Sequence, residues 1–247
     1  MSSHKPAAPD ALTQKLGTFL ALGREELAML DELQGPRTYI PAGKEVVYQG
    51  QHGHAAYVLR EGWACSYKRL IDGSRQIIDI GVPGDFLGLR SLLLRTSDQS
   101  FVTLTDVEVR RVVTSKLWDA FRKTPRLAGA LLWAVSRDEA MVVEHLVSIG
   151  RRDALARTAH FLLELGARMR LVGRGSHDSY ECPLSQSMLA DALGMTAIHL
   201  NRVLRQLRES NLLVFREGVV RFIDREKLAD MIGFDLSYLD QGGPVLD

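Results

Sequence analysis

Between Thr196 and Arg208 the chain carries Arg202, Arg205 and Arg208 and no acidic residue. An arginine fork fits phosphate oxygens or the O6 and N7 edge of guanine, and an asparagine, here Asn201, fits the N6 and N7 edge of adenine. Leu200, Val203, Leu204 and Leu207 recur at helical spacing in the same segment. A helix here therefore turns those four inward and leaves Ala197, Ile198, Asn201, Arg202 and Arg205 exposed to varying degrees. His199 lies inside this helix, and its neighbours leave a DNA contact and a plain surface position equally open. Thr196 can cap the helix, and a capped N-terminus offers free backbone N–H groups to a phosphate.

Ser185 is placed to cap an earlier helix running to Leu193, with Met188, Leu189, Ala192 and Leu193 as its apolar face. Gly194 then supplies the left-handed residue that ends a helix and turns the chain. Two helices joined in this way predict a helix-turn-helix whose second member enters the major groove. Ser185 and Gln186, at the start of the first helix, join Thr196, Ala197, Ile198, His199, Asn201, Arg202 and Arg205 as candidate DNA contacts. The spacing fits an ordinary helical hairpin as well; the acid-free second helix favours DNA. Leu212 to Arg216, Glu217-Gly218 and Val219 to Phe222 then read as a hairpin wing, and Asp224 as the cap of a last helix.

The elements ahead of this motif form another unit. Leu12, Leu16 and Leu20, then Leu27, Leu30 and Leu33, mark helical turns broken at Gly23. From Gly43 to Gly88 glycines recur between short strand-forming runs, Glu45 to Tyr48, Ala56 to Leu59, Trp63 to Leu70 and Gln76 to Ile80, which predicts a small sandwich or barrel. Asp72-Gly73 is placed for a hairpin turn in which both residues tolerate positive φ, and Trp63, Cys65 and Tyr67 share one strand face toward the barrel core or a pocket. Strands at Ser100 to Thr105 and Val107 to Val113 follow, then a short helix capped by Ser115. A helix from about 125 to 149 carries Leu127, Leu131, Val135, Val142, Leu146 and Ile149, a stripe suited equally to an internal core and to a seam between two copies. Gly150 to Asp153 reads as a hinge into a helix ending near Leu165, and residues 172–180 as a loop.

Net charge is +1, and the chain from Arg151 onward balances 13 basic against 13 acidic residues, so bulk charge gives no sign of nucleic acid. No run of about eighteen apolar residues and no signal-peptide core are present, so no membrane contact is expected and a cytoplasmic protein is the default expectation. Cys65 and Cys182 make neither a disulfide framework nor a metal site, and no cofactor is expected. The phosphate-loop, nucleophile-elbow and His-Glu-x-x-His patterns are all missing, so no catalytic residue is nominated.

Ile40-Pro41-Ala42-Gly43, Gln49-Gly50, Tyr57-Val58-Leu59, Glu61-Gly62, Asp72-Gly73 and Pro83-Gly84-Asp85-Phe86-Leu87-Gly88 stand in order ahead of the long helix and the winged motif. From about Leu33 to Phe222 the chain thereby resembles the Crp/Fnr family of transcription regulators, named for the cyclic-AMP receptor protein and its oxygen-sensing relative. The resemblance implies an α+β chain: a cyclic-nucleotide-binding-like β-barrel over residues 1–124, a dimerisation helix over 125–149, and a winged helix-turn-helix over 150–247. It implies a homodimer on an inverted repeat of double-stranded DNA, working with RNA polymerase and answering to a small-molecule effector. Gly84, Phe86, Gly88, Leu89, Arg90, Gln99 and Ser100 are the implied effector pocket.

The family's nucleotide binders use a glutamate for the ribose and an arginine for the phosphate; those places hold Leu89 and Gln99 here, so cyclic AMP is not the expected ligand. The N-terminal cysteine cluster of the oxygen sensors has no counterpart before Cys65. His52, His54 and His145 remain as candidate haem ligands against the plainer reading of surface or lightly buried histidines. The family's base-reading Arg-Glu pair is replaced by Ala197 and Ile198, while its later arginine is kept as Arg202, so the target half-site differs. The competing class is a ligand-binding module whose C-terminal domain engages a protein instead of DNA.

Overall fold

The structure, a computed structural model, describes residues 10–239 and 243. Two short helices open it, α1 (Ala11–Phe19) and α2 (Arg24–Glu32), capped by Asp10 and Gly23. Eight strands follow: β1 (Gln34–Ile40), β2 (Glu45–Val47), β3 (Tyr57–Glu61), β4 (Ala64–Arg69), β5 (Arg75–Gly81), β6 (Phe86–Leu87), β7 (Ser100–Thr103) and β8 (Val107–Val112). They form two four-stranded sheets, ordered β1-β8-β3-β6 and β2-β7-β4-β5, all neighbours antiparallel. Val47, Leu59, Ala64, Leu87, Phe101, Val107 and Val109 fill the space between the sheets.

The sequence reading missed β1, β6 and a short strand at Ser179–Glu181. β1 contains Pro36, which lacks an N–H; the strand tolerates it because it lies at a sheet edge with an irregular register between Gln34 and Arg37. At the β4–β5 turn only Gly73 takes positive φ (85°), and Leu70 and Ser74 close a three-residue loop, so Asp72 serves by accepting from Ser74 instead. The next helix, α3 (Thr114–Lys123), starts one residue ahead of the expected cap, with Val113 at the cap position and no side-chain cap bond.

α4 (Pro125–Arg151) runs 27 residues, about 40 Å. Gly150 is inside it, and the hinge falls at Arg152, extended between α4 and α5 (Ala154–Leu171), which Asp153 caps. The expected single stripe on α4 divides. Leu127 and Leu131 pack with α1, α2, α3 and β3, while Val142, Leu146 and Ile149 are exposed, because the helix runs past the core that covers its first half.

The C-terminal unit comprises α5, β9 (Ser179–Glu181), α6 (Gln186–Leu193), α7 (Ala197–Glu209), β10 (Leu213–Arg216), β11 (Val219–Phe222) and α8 (Arg225–Ile232). β9 pairs with β11, so the segment read as a loop supplies the third strand of the wing sheet. Its core does not stop at the domain boundary. Trp63, Cys65, Tyr67, Ile77, Ile80 and Val82 from the barrel share one cluster with α5, α6 and α7. The alternation predicted for Trp63, Cys65 and Tyr67 holds, but their face looks toward the C-terminal unit, and Ala64 fills the barrel in their place. Burial there pushes the Cys65 thiol up to about 12, so it is inert as a thiolate at neutral pH.

Candidate nucleic-acid interface and sensor cleft

Local chemistry sets the helix-turn-helix. The Ser185 hydroxyl accepts from the Met188 amide at 3.2 Å, Gly194 ends α6 at φ 61°, and the Thr196 hydroxyl accepts from the His199 amide at 3.2 Å to start α7. Leu200, Val203, Leu204 and Leu207 are buried against the rest of the unit. Ser185, Gln186, Thr196, Ala197, Ile198, His199, Asn201, Arg202 and Arg205 are all exposed. On α7, Ile198, Arg202 and Arg205 lie opposite the buried stripe, with Asn201 and His199 to either side. Arg205 leans on Glu209 at 3.5 Å, whereas Arg202 makes no ion pair among the described residues. The wing turn has Glu217 and Gly218 at φ 52° and 72°, the two-residue geometry that suits a twisted hairpin.

A clamp that the sequence did not announce holds this reader against the barrel. Gln76 on β5 donates to the carbonyls of Asp191 and Ala192 at 2.9 and 3.2 Å, satisfying the orphan end of α6, and Arg75 pairs with Asp191 at 2.8 Å. Arg157 donates to Leu193, Ile149 and Arg152 carbonyls across the hinge. Deeper, Arg168 of α5 reaches Asp79, the Ile80 carbonyl and Asp85, and Lys15 of α1 meets Asp85 at 2.8 Å. Although burial opposes ionisation, Lys15 and Arg168 hold the Asp85 carboxyl well below its ordinary range. Asp85 is the acid of the Pro83-Gly84-Asp85-Phe86-Leu87-Gly88 run, but both its cationic partners lie far from it in sequence.

Beside this network lies a cleft of about 540 Å³. Of the effector residues nominated from sequence, Phe86, Gly88, Leu89, Arg90 and Gln99 line it. Gly84 and Ser100 lie elsewhere. A Cβ on Gly84 would stand 2.7 Å from the Ala11 carbonyl oxygen, so its role is close packing under α1, and the buried Ser100 hydroxyl accepts from the Gln49 amide. The far wall belongs to β5 and α4 residues not foreseen, among them Asp79, Asp138 and Glu139. Leu89 offers no acceptor for a ribose hydroxyl, and Arg90 is held by Asp98 at 2.5 Å. Of the candidate haem histidines, His54 contacts the Ser91 carbonyl at 2.7 Å and His145 donates to Glu164 at 3.0 Å, while His52 pairs with Thr96 through its backbone alone. Among the described residues no His, Cys, Asp and Glu group is arranged to hold a metal, and no helix is long and apolar enough to cross a membrane.

A β-barrel carrying a ligand-sized cleft, joined by a long helix to a winged helix-turn-helix, defines a sensor-linked DNA reader. Residues 37–124 match the cyclic nucleotide-binding domain family and residues 156–231 the Crp-like helix-turn-helix domain family. The nitrogen fixation regulation protein FixK of Bradyrhizobium diazoefficiens is 29% identical over 83% of this chain and 84% of its own. The transcriptional activator protein Anr of Pseudomonas protegens is 22% identical over 87% of each chain. The solved structure of FixK2 from Bradyrhizobium japonicum superposes with a TM-score of 0.71 at 26% identity, covering 79% of this chain and 96% of that one. With both halves matched in order, the chain belongs to the Crp/Fnr family of transcription regulators. It is a DNA-binding regulator and not an enzyme, in a family whose members act as dimers with RNA polymerase.

Proposed function

We propose that the protein works as a homodimer on an inverted repeat, reading each half-site with α7. Residues 1–124 sense, 125–149 dimerise and 150–247 read. The observation that carries this is the face of α7 opposite its buried stripe, where Ile198, Arg202 and Arg205 are presented to solvent from a capped, packed helix. Arg202 reads a base edge, Ile198 meets a thymine methyl, and Ser185, Gln186 and Thr196 hold phosphate. Ala197, His199, Asn201 and Arg205 complete the contact surface. The outward face of α4, with Leu132, Val143 and Leu146 more than half exposed, supports the dimer.

The cleft beside the Gly88 turn is the effector site, and its ligand is not cyclic AMP. Micromolar cyclic-AMP binding in a calorimetric titration would overturn that part alone. Selection from a random duplex pool at about 0.15 M salt tests the whole reading. Enrichment of an inverted repeat with half-sites about one helical turn apart supports it. Failure to enrich any duplex, with and without cell extract, would return the chain to a ligand-binding module that engages a protein.

A further inference from the structure

The charge around the sensor cleft is the reverse of what a nucleotide needs. Asp79 from β5 and Asp138 and Glu139 from α4 line it, and Arg90, the cation on its wall, already serves Asp98. Behind the carboxylates the compensation is incomplete. Arg168 lies 3.1 Å from Asp79 but also serves Asp85, and Lys15 lies 3.5 Å from Asp138 while its shorter contact, 2.8 Å, is again with Asp85. Glu139 makes no ion pair among the described residues. Burial pushes the Asp138 carboxyl above its ordinary range, the neighbouring Asp85 and Asp79 carboxylates add to that, and Lys15 and Arg137 oppose it only in part. Much of the remaining wall is apolar: Phe86, Phe101, Val135 and Val142. An anion entering the cleft loses water and meets like charge, whereas a cation with an apolar body loses water and meets partners.

Resting on the reading of this cleft as the effector site, we propose that it takes an organic ammonium ion with an apolar body of about one ring. Asp138 and Glu139 hold the charged end, and Phe86, Phe101 and Val135 cover the body. Its volume, about 540 Å³, is ample for such a molecule.

The test is calorimetric titration of the full-length protein with three probes of one shape: phenethylammonium, phenylacetate and 2-phenylethanol. The ammonium ion is expected to bind tightest, by about tenfold or more over the other two. Glu139→Gln, on an exposed side chain whose loss leaves the fold intact, and Asp138→Asn should each weaken the ammonium by roughly tenfold and leave the alcohol unchanged. Equal or tighter binding of phenylacetate overturns the proposal, as does ammonium binding that Glu139→Gln does not alter. Alcohol bound as well as the ammonium refutes the charge argument while the cleft survives as a ligand site. No binding by any of the three refutes the ligand class and the effector reading together; the pool selection reports on the DNA reading separately.

Discussion

Arg202 is the residue on which the DNA reading turns, because it is exposed, unpaired among the described residues and central on the outward face of α7. Arg202→Ala should lower affinity for the selected duplex by about 1–3 kcal/mol, the scale of one base contact, with little loss on a scrambled duplex. An equal loss on both, measured by fluorescence anisotropy, would show a phosphate contact only. This face was legible because a helix period, two caps and a turn glycine are local signals, all carried within Ser185 to Leu207. The buried charges were not, since Lys15, Asp85 and Arg168 meet from three distant stretches of chain and no spacing records that. The His145–Glu164 pair belongs to the same class. Burial alone would depress the imidazole, but the Glu164 carboxylate at 3.0 Å outweighs it and raises the pKa to about 9. A folded value above the unfolded one means the proton stabilises the fold. The contribution is complete below about pH 6.5 and is lost as pH rises through about 9. The shift corresponds to about 3 kcal/mol. Urea titrations between pH 6 and 9.5 should therefore show falling stability, and His145→Gln should flatten that slope; an unchanged slope would place the proton elsewhere.

At the scale of elements, α4 has two apolar faces, one packed and one exposed. Its inner face is packed by Leu127, Leu131, Ala134 and Met141, and its outer face carries the exposed Leu132 and Leu146 two heptads apart, the spacing that a helix pair presents to a partner. The sequence stripe mixed the two because residues four apart drift slowly around the helix, and only the end of the first-half core shows where one face gives way to the other. Leu146 is 70% exposed, so its replacement leaves the folded protomer intact. Leu146→Glu removes two leucines from a two-fold seam and adds facing charges, which should cost about 3 kcal/mol or more of dimer stability, roughly a hundredfold in dissociation constant. Sedimentation equilibrium checks this, and an unaltered dimer would move the seam off this face. The stretch around Tyr238 and Leu239 uses the inner face too. Leu239 is buried beside Met141 and Ala167, its carbonyl accepts from Arg137 at 2.8 Å, and the Tyr238 hydroxyl donates to Glu164 at 2.7 Å. Such a strap was illegible because a single short apolar stretch has no period, and its partners lie on two other helices.

Across the whole molecule, sensor and reader are one packed body. The strand face of Trp63, Cys65 and Tyr67 extends the reader's core, and Arg168, from the reader's first helix, ends among the Asp79 and Asp85 carboxylates of the barrel. A residue on the cleft wall, Asp79, is thus in direct contact with the helix that carries the reader. One guanidinium, that of Arg168, therefore joins the cleft wall to α5. The same geometry predicts how the parts come apart. Arg168 is 2% exposed and its side chain answers two carboxylates, with Glu164 at 3.6 Å. Arg168→Met keeps the bulk of the side chain but strands those acids, and removing one partner of a buried ion pair costs about 3–5 kcal/mol. Because the lost contacts join two units, the penalty falls on their docking more than on either core. Scanning calorimetry should show one cooperative transition for the native protein and an earlier, split transition for Arg168→Met. Near-neutral replacement, with a single unshifted transition, would mean that the apolar face of Trp63, Cys65 and Tyr67 alone joins the halves and that the ionic network carries no coupling.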